Sequence, residues 1–128
     1  MISAHRTPKT AAEFSEQAEK NGFEVIIGAA GKAAHLAGVL AASTTIPVIG
    51  IPMKTGDFGG MDSLLSTVQM PKGVPVATVA VGGAENAALL AVQILSVKYP
   101  ELRQAFREYK LKMERDVIKA DAELGGKC

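Results

Sequence analysis

Three short apolar runs alternate with stretches of helical periodicity, and this alternation most restricts what the chain can fold into. The runs are Phe-Glu-Val-Ile-Ile at 23–27, Pro-Val-Ile-Gly-Ile-Pro at 47–52 and Val-Pro-Val-Ala-Thr-Val-Ala-Val at 74–81. Each has the length of a buried strand, and the chain between them is long enough for crossover helices. That is the pattern of βα units around a parallel sheet. Helices are predicted from Pro8 to the Asn21-Gly22 stop, over 32–42, over 61–68, over 84–98 and from Pro100 to about Leu124. Thr7 is placed to cap the first and Pro8 to fill its first turn. Ala11, Phe14 and Ala18 share one face of that helix. Gly28-Ala29-Ala30-Gly31 reads as a small-residue loop between a strand and a helix. Pro75 falls at the start of its strand, where a missing amide donor is tolerated.

At 128 residues this is one α/β domain over 1–128, with a βα core over 1–98 and an amphipathic helix over 99–125. With 48% hydrophobic but only 5% aromatic residues, the core must be built from aliphatic side chains, as in buried parallel strands. A formal net charge of +1, with no basic run interleaved with aromatics, argues against a nucleic-acid partner. No apolar stretch approaches the ~20 residues of a membrane span, and no signal-peptide pattern opens the sequence. The single cysteine, Cys128, leaves no disulfide framework or thiol metal site and fits a reducing, cytoplasmic setting.

The last helix carries Leu102, Phe106, Tyr109, Met113, Val117, Ala120 and Leu124 in one continuous stripe, opposite Arg103, Arg107, Lys110, Glu114 and Asp121. The stripe suits packing on its own domain or docking on a neighbouring subunit, and sequence alone does not choose.

Four constellations carry possible chemistry. In Ser3-Ala4-His5-Arg6-Thr7-Pro8, an imidazole that can take and give a proton near neutrality stands beside a guanidinium fork suited to phosphate. Hydroxyls flank the pair, and the following helix points its positive end the same way. A lone histidine is more often structural; here its neighbours favour a site. Gly28 to Leu36 lies at a strand's carboxyl end, where open α/β sheets bind ligands, and includes His35. Alone it is a weak signal, since a small-residue turn often serves only tight packing and a lone His35 is more often a packed or capping histidine. Asp62 and Ser63 are placed to cap a helix, and Gln69 and Met70 to line a pocket. Asn86, after Gly82-Gly83, is placed to orient a ligand or to bond nearby backbone. His5 and His35 are the only histidines and no carboxylate pair stands at ligand spacing beside them, so no metal site is expected. Walker A and dinucleotide fingerprints are missing.

Taken together, Ser-Ala-His-Arg-Thr-Pro at 3–8, Ala-Ala-His-Leu at 33–36, Pro-Val-Ile-Gly-Ile-Pro at 47–52, Asp-Ser-Leu-Leu-Ser-Thr-Val-Gln-Met-Pro at 62–71, Gly-Val-Pro-Val-Ala-Thr-Val-Ala at 73–80 and Asn-Ala-Ala-Leu-Leu-Ala at 86–91 resemble the class I 5-(carboxyamino)imidazole ribonucleotide mutases of purine biosynthesis. The resemblance spans essentially the whole chain, in order. It implies a flavodoxin-like, three-layer α/β/α fold assembled into a homo-octamer. It implies an isomerase that shifts the carboxylate of an imidazole ribonucleotide from its exocyclic nitrogen to a ring carbon, with neither metal nor organic cofactor. On that resemblance His5 matches the proton-transfer residue. Arg6, with Ser3 beside it, matches the phosphate site, and Ala30, Gly31, His35 and Leu36 match the pocket wall. The related carboxylase that uses carbon dioxide directly shares most of these motifs.

The sequence departs from the family pattern at its start. The resemblance implies a preceding strand, a Gly-Ser-x-Ser-Asp loop that contacts phosphate and ribose, and a helix. Nothing before Ser3 matches them. It then implies an N-terminally shortened member lacking the first strand of a sheet ordered 2-1-3-4-5, with residues 1–4 as an edge strand and with little or no turnover by this chain alone. Ala29 stands where Gly is usual and Ala37 where Pro is usual, and the 82–86 loop looks short.

Overall fold

The structure, a computed structural model, describes residues 1–125; Cys128 lies outside them. The elements are α1 (Pro8–Ala18), β1 (Ile26–Gly31), α2 (Leu36–Ala42), β2 (Val48–Met53), α3 (Met61–Val68), β3 (Ala77–Thr78), α4 (Ala84–Leu95) and α5 (Pro100–Gly125). The strands form one parallel sheet in the order β1-β2-β3. With its flanking helices and long C-terminal helix this is a flavodoxin-like α/β fold. The chain forms two compact units, Met1–Ala91 and the segment from Val92 onward.

The β1–β2 register pairs Ile26 with Val48, Gly28 with Gly50 and Ala30 with Pro52. These even positions share one face by strand alternation. The small residues admit helices at close range: a Cβ on Gly28 would lie 3.2 Å from the Ala37 Cα of α2, and one on Gly50 would run into Thr67 of α3. Both helices therefore pack on this face. The core joins Ala11 and Ala18 of α1, Ile26 of β1, Ala37 and Leu40 of α2 and Val48 of β2. Ile2, Phe14 and Val76 pack against it. On the opposite face Ile49 and Ile51 of β2 are buried, whereas Ile27 of β1 is 44% exposed.

The chain leaves α1 through a left-handed Gly22 (φ 82°). Phe23 N–H donates to Ala18 O at 3.0 Å and Gly22 N–H to Glu19 O at 3.0 Å, the paired bonds of a Schellman end. The predicted Gly stop is thus correct.

Five expectations change. β1 begins at Ile26 and continues through Gly31, so the supposed loop at 28–31 is strand. Gly28 and Gly31 are small to let neighbours approach, and the turn falls on Lys32 at φ 56°. Helix α2 accordingly starts at Leu36 and not at Lys32. β3 is regular only over Ala77–Thr78, because Pro75 and Pro52 have no N–H to give the ladder. Beyond it, Val79 N–H still donates to Gly50 O at 3.1 Å and Gly82 N–H to Pro52 O at 2.8 Å. Residues 1–4 form no strand: Thr7 N–H donates to Ser3 O at 2.9 Å, folding this segment into a local turn. Thr7 does not cap α1 with its side chain; its hydroxyl donates to Ser3 O at 3.0 Å and accepts from Ser3 N–H at 2.9 Å. Pro8 does fill the first turn.

Candidate functional site

At the carboxyl end of β1 lies an open cleft of about 560 Å³. Ser3, His5, Arg6, Ala30, Gly31, His35 and Leu36, the seven residues that the family resemblance assigns to the site, line it. Three pieces of chain bring them together. Ile2 packs on the core and anchors the turn that carries Ser3, His5 and Arg6. Strand β1 delivers Ala30 and Gly31, a methyl and a bare backbone that line the cleft. The start of α2 presents His35 and Leu36.

The two imidazoles meet directly. His5 Nε2 lies 2.8 Å from His35 Nδ1, and the rings stand nearly perpendicular, with centroids 4.9 Å apart at 80°. One nitrogen must donate and the other accept. Ser3 Oγ accepts from Arg6 N–H at 3.2 Å, which fixes the backbone beneath the guanidinium. Arg6 and Lys32 bring positive charge to the cleft; Lys32 is shared with Asp57 at 3.7 Å, a solvent-exposed pair. Such a pair contributes little to stability and leaves the ammonium able to meet another anion. The arrangement suits a small anionic ligand: Arg6, an imidazole pair and the small residues Ala29, Ala30 and Gly31 line one cleft.

Sequence reasoning missed Thr55. It follows β2, lines the cleft and sets its methyl against Gly31, while its buried Oγ1 has no hydrogen-bond partner. Only the register of β2 on β1 brings it there, and no local motif marks it.

The remaining constellations lie elsewhere. Ser63 is buried and donates to Met53 O and Gly60 O, both at 2.9 Å, so it ties α3 to the end of β2. Neither Asp62 nor Ser63 caps α3, whose N-cap is the left-handed Gly60. Met70 packs towards Gly38 of α2; Gln69, Met70 and Asn86 do not line the cleft. Among the described residues no three His, Cys, Asp or Glu side chains gather as a metal site, and no helix is long and apolar enough to cross a membrane.

A parallel sheet with a cleft at its carboxyl end places the protein among the open-sheet α/β proteins. Comparison with known proteins goes further: the AIR carboxylase family model matches residues 1–116, and the chain belongs to that family. It is 59% identical over 115 residues to the N5-carboxyaminoimidazole ribonucleotide mutase of Pyrococcus abyssi, covering 90% of this chain and 66% of the relative. It is 53% identical over 123 residues to the mutase of Saccharolobus solfataricus, covering 96% and 78%. Against the Mycobacterium tuberculosis H37Rv mutase the identity is 51% over 124 residues, covering 97% and 71%. The chain thus spans about two thirds of the length of the first of these curated relatives.

Proposed function

We propose that this protein is an isomerase of purine biosynthesis that converts N5-carboxyaminoimidazole ribonucleotide to the ring-carboxylated isomer. The observation that carries this reading is the convergence of His5, His35 and Arg6 on one cleft, in a chain more than half identical to relatives named as this mutase. Arg6, with Ser3 at its base, takes the phosphate. Ala30, Gly31 and Leu36 wall the imidazole. The carbamate loses carbon dioxide while His5, as imidazolium, gives its proton to the exocyclic nitrogen. The ring carbon then attacks the retained carbon dioxide, and His5 takes back the proton that this carbon releases. The carboxylate changes position without net oxidation or reduction, so this route calls on no redox cofactor.

The test supplies the purified chain with the carbamate nucleotide and follows formation of the 4-carboxylate. Turnover supports the mutase. Conversion only of the aminoimidazole ribonucleotide with added carbon dioxide supports the direct carboxylase, a reading favoured by the description of the matching family. Binding without either conversion supports a catalytically impaired member.

The protein acts in the cytoplasm as a homo-oligomer, an octamer on the family resemblance. No residue of α5 is buried, and Val117 and Ile118 on it are largely exposed, which supports a helix covered by another copy. Light scattering coupled to size exclusion reads the assembly; a monomer at working concentration overturns it.

A further inference from the structure

The contact between the two imidazoles carries more than proximity. His35 sits where its backbone is fixed: its N–H donates to Ala33 O at 2.9 Å, and its carbonyl accepts from Val39 N–H at 2.9 Å. His5 stands on the N-terminal turn, 30 residues away, with Nε2 already engaged by His35 Nδ1 at 2.8 Å. The only His5 ring nitrogen left for a substrate is Nδ1.

We propose that His35 is a positioning residue for His5: its Nδ1 accepts the His5 Nε2–H, holds the ring, and makes Nδ1 the atom that moves the proton. This rests on the proton-transfer role proposed for His5. The direction of the bond follows from that role. A shuttle must pass through neutral and protonated His5. If His35 donated, its Nδ1–H would need a lone pair on His5 Nε2, which imidazolium lacks. If His5 donates, Nε2–H is present in both states and the bond survives the whole cycle. Proton balance is kept: the proton leaves Nδ1 for the exocyclic nitrogen as the N–C bond to carbon dioxide breaks. The same Nδ1 accepts the proton from the ring carbon, whose C–H electron pair returns to the ring. His35 remains neutral and protonated on Nε2 throughout.

The chain has two histidines, so a histidine-selective 15N label resolves all four ring nitrogens. The experiment uses the full chain at about pH 8, above the ordinary imidazole range. Long-range correlations from the carbon-bound ring protons are expected to place the proton on His5 Nε2, with a scalar coupling across the hydrogen bond to His35 Nδ1. His35→Leu is expected to abolish the coupling and let His5 exchange between tautomers. His35→Asn, whose amide oxygen can stand near the place of Nδ1, is expected to keep His5 protonated on Nε2. In turnover, His35→Leu lowers kcat about tenfold, a part of the ~10²–10⁴ of general acid–base catalysis, with KM nearly unchanged, and His35→Asn recovers most of it. No coupling in the parent protein, a proton on His35 Nδ1, or an unmoved His5 spectrum in His35→Leu overturns the proposal. The spectra need no turnover. A coupled pair in a protein that converts neither nucleotide sinks the isomerase reading alone, while an active protein without the coupling sinks the pairing alone.

Discussion

Gly31 and Thr55 face each other across the end of the sheet so closely that a Cβ on Gly31 would lie 2.6 Å from the Thr55 Cγ2. Both residues line the cleft, so the contact sets its width from beneath. Gly31→Ala is expected to push the Thr55 segment outward and weaken nucleotide binding about tenfold, within the ~1–3 kcal/mol range for overpacking. Adding Thr55→Ser removes the offending methyl and is expected to restore much of the affinity. Calorimetric titration of both variants with aminoimidazole ribonucleotide checks this; a single variant that binds like the parent defeats it.

His5→Ala removes the proposed proton carrier and leaves Arg6 and Ser3 in place. Turnover is expected to fall by ~10²–10⁴, the usual contribution of a positioned acid–base group, while nucleotide affinity changes little. Steady-state kinetics and equilibrium binding on the same preparation separate the two effects. Full turnover by the variant would refute the role.

Much of the lining of the cleft was legible because it lies in short contiguous stretches. The imidazole and guanidinium at 5–6 and the second histidine at 35 are visible as residue types, and strand–helix alternation places the second stretch at a strand end. The direct His5–His35 contact was not legible, since it joins turns 30 residues apart. Thr55 was hidden for the same reason. The start of the chain misled in a different way. Ser3 and Thr7 exchange local hydrogen bonds that divert the backbone from strand into a turn, as hydroxyl side chains do when they compete with a ladder. The small residues at 28–31 resemble a loop, yet they serve packing: Gly28 against Ala37, and Gly31 against Thr55.

Arg6 tests whether the cleft reads a phosphate as a fork or merely as charge. A guanidinium can form two parallel hydrogen bonds to phosphate oxygens, and an ammonium acts as a point charge. Arg6→Lys is expected to cost about 1 kcal/mol of nucleotide binding and Arg6→Ala about 2–3, the range for hydrogen bonds to charged groups. Competition by inorganic phosphate should weaken in the same order. Equal affinities for all three proteins would move the proposed phosphate contact from Arg6 to Lys32.

Ile27 lies on β1, which has β2 as its partner on one side and forms the other margin of the sheet. Its side chain is 44% exposed, and Phe23 nearby is also exposed. An apolar margin of this kind invites pairing with other chains, and charge on the strand discourages it. Ile27→Lys is expected to reduce light scattering on gentle heating while changing the unfolding midpoint little, because a partly exposed position has little packing to lose. Increased scattering would show that Ile27 is covered in solution.

Gly50 sits at the centre of the sheet, between the helices that pack on it. A Cβ there would run into Thr67 Cγ2 of α3 and lie 2.9 Å from Val76 Cγ1 and 3.3 Å from Ala37 Cβ of α2. Thr67 cannot turn aside freely, because its hydroxyl donates to Ser63 O at 2.7 Å and its side chain is buried. Gly50→Ala is therefore expected to destabilise the fold by about 1–3 kcal/mol, the usual cost of forcing a methyl into a packed interior. Thr67→Ser takes away the methyl that collides while keeping the hydroxyl bonded. The double variant should recover more than half of the loss, a non-additivity that neighbours in contact show and distant sites do not. Urea unfolding of the four proteins in the cycle measures that coupling. Strict additivity would mean that the helices shift together away from the sheet, and that Thr67 does not set their distance from it.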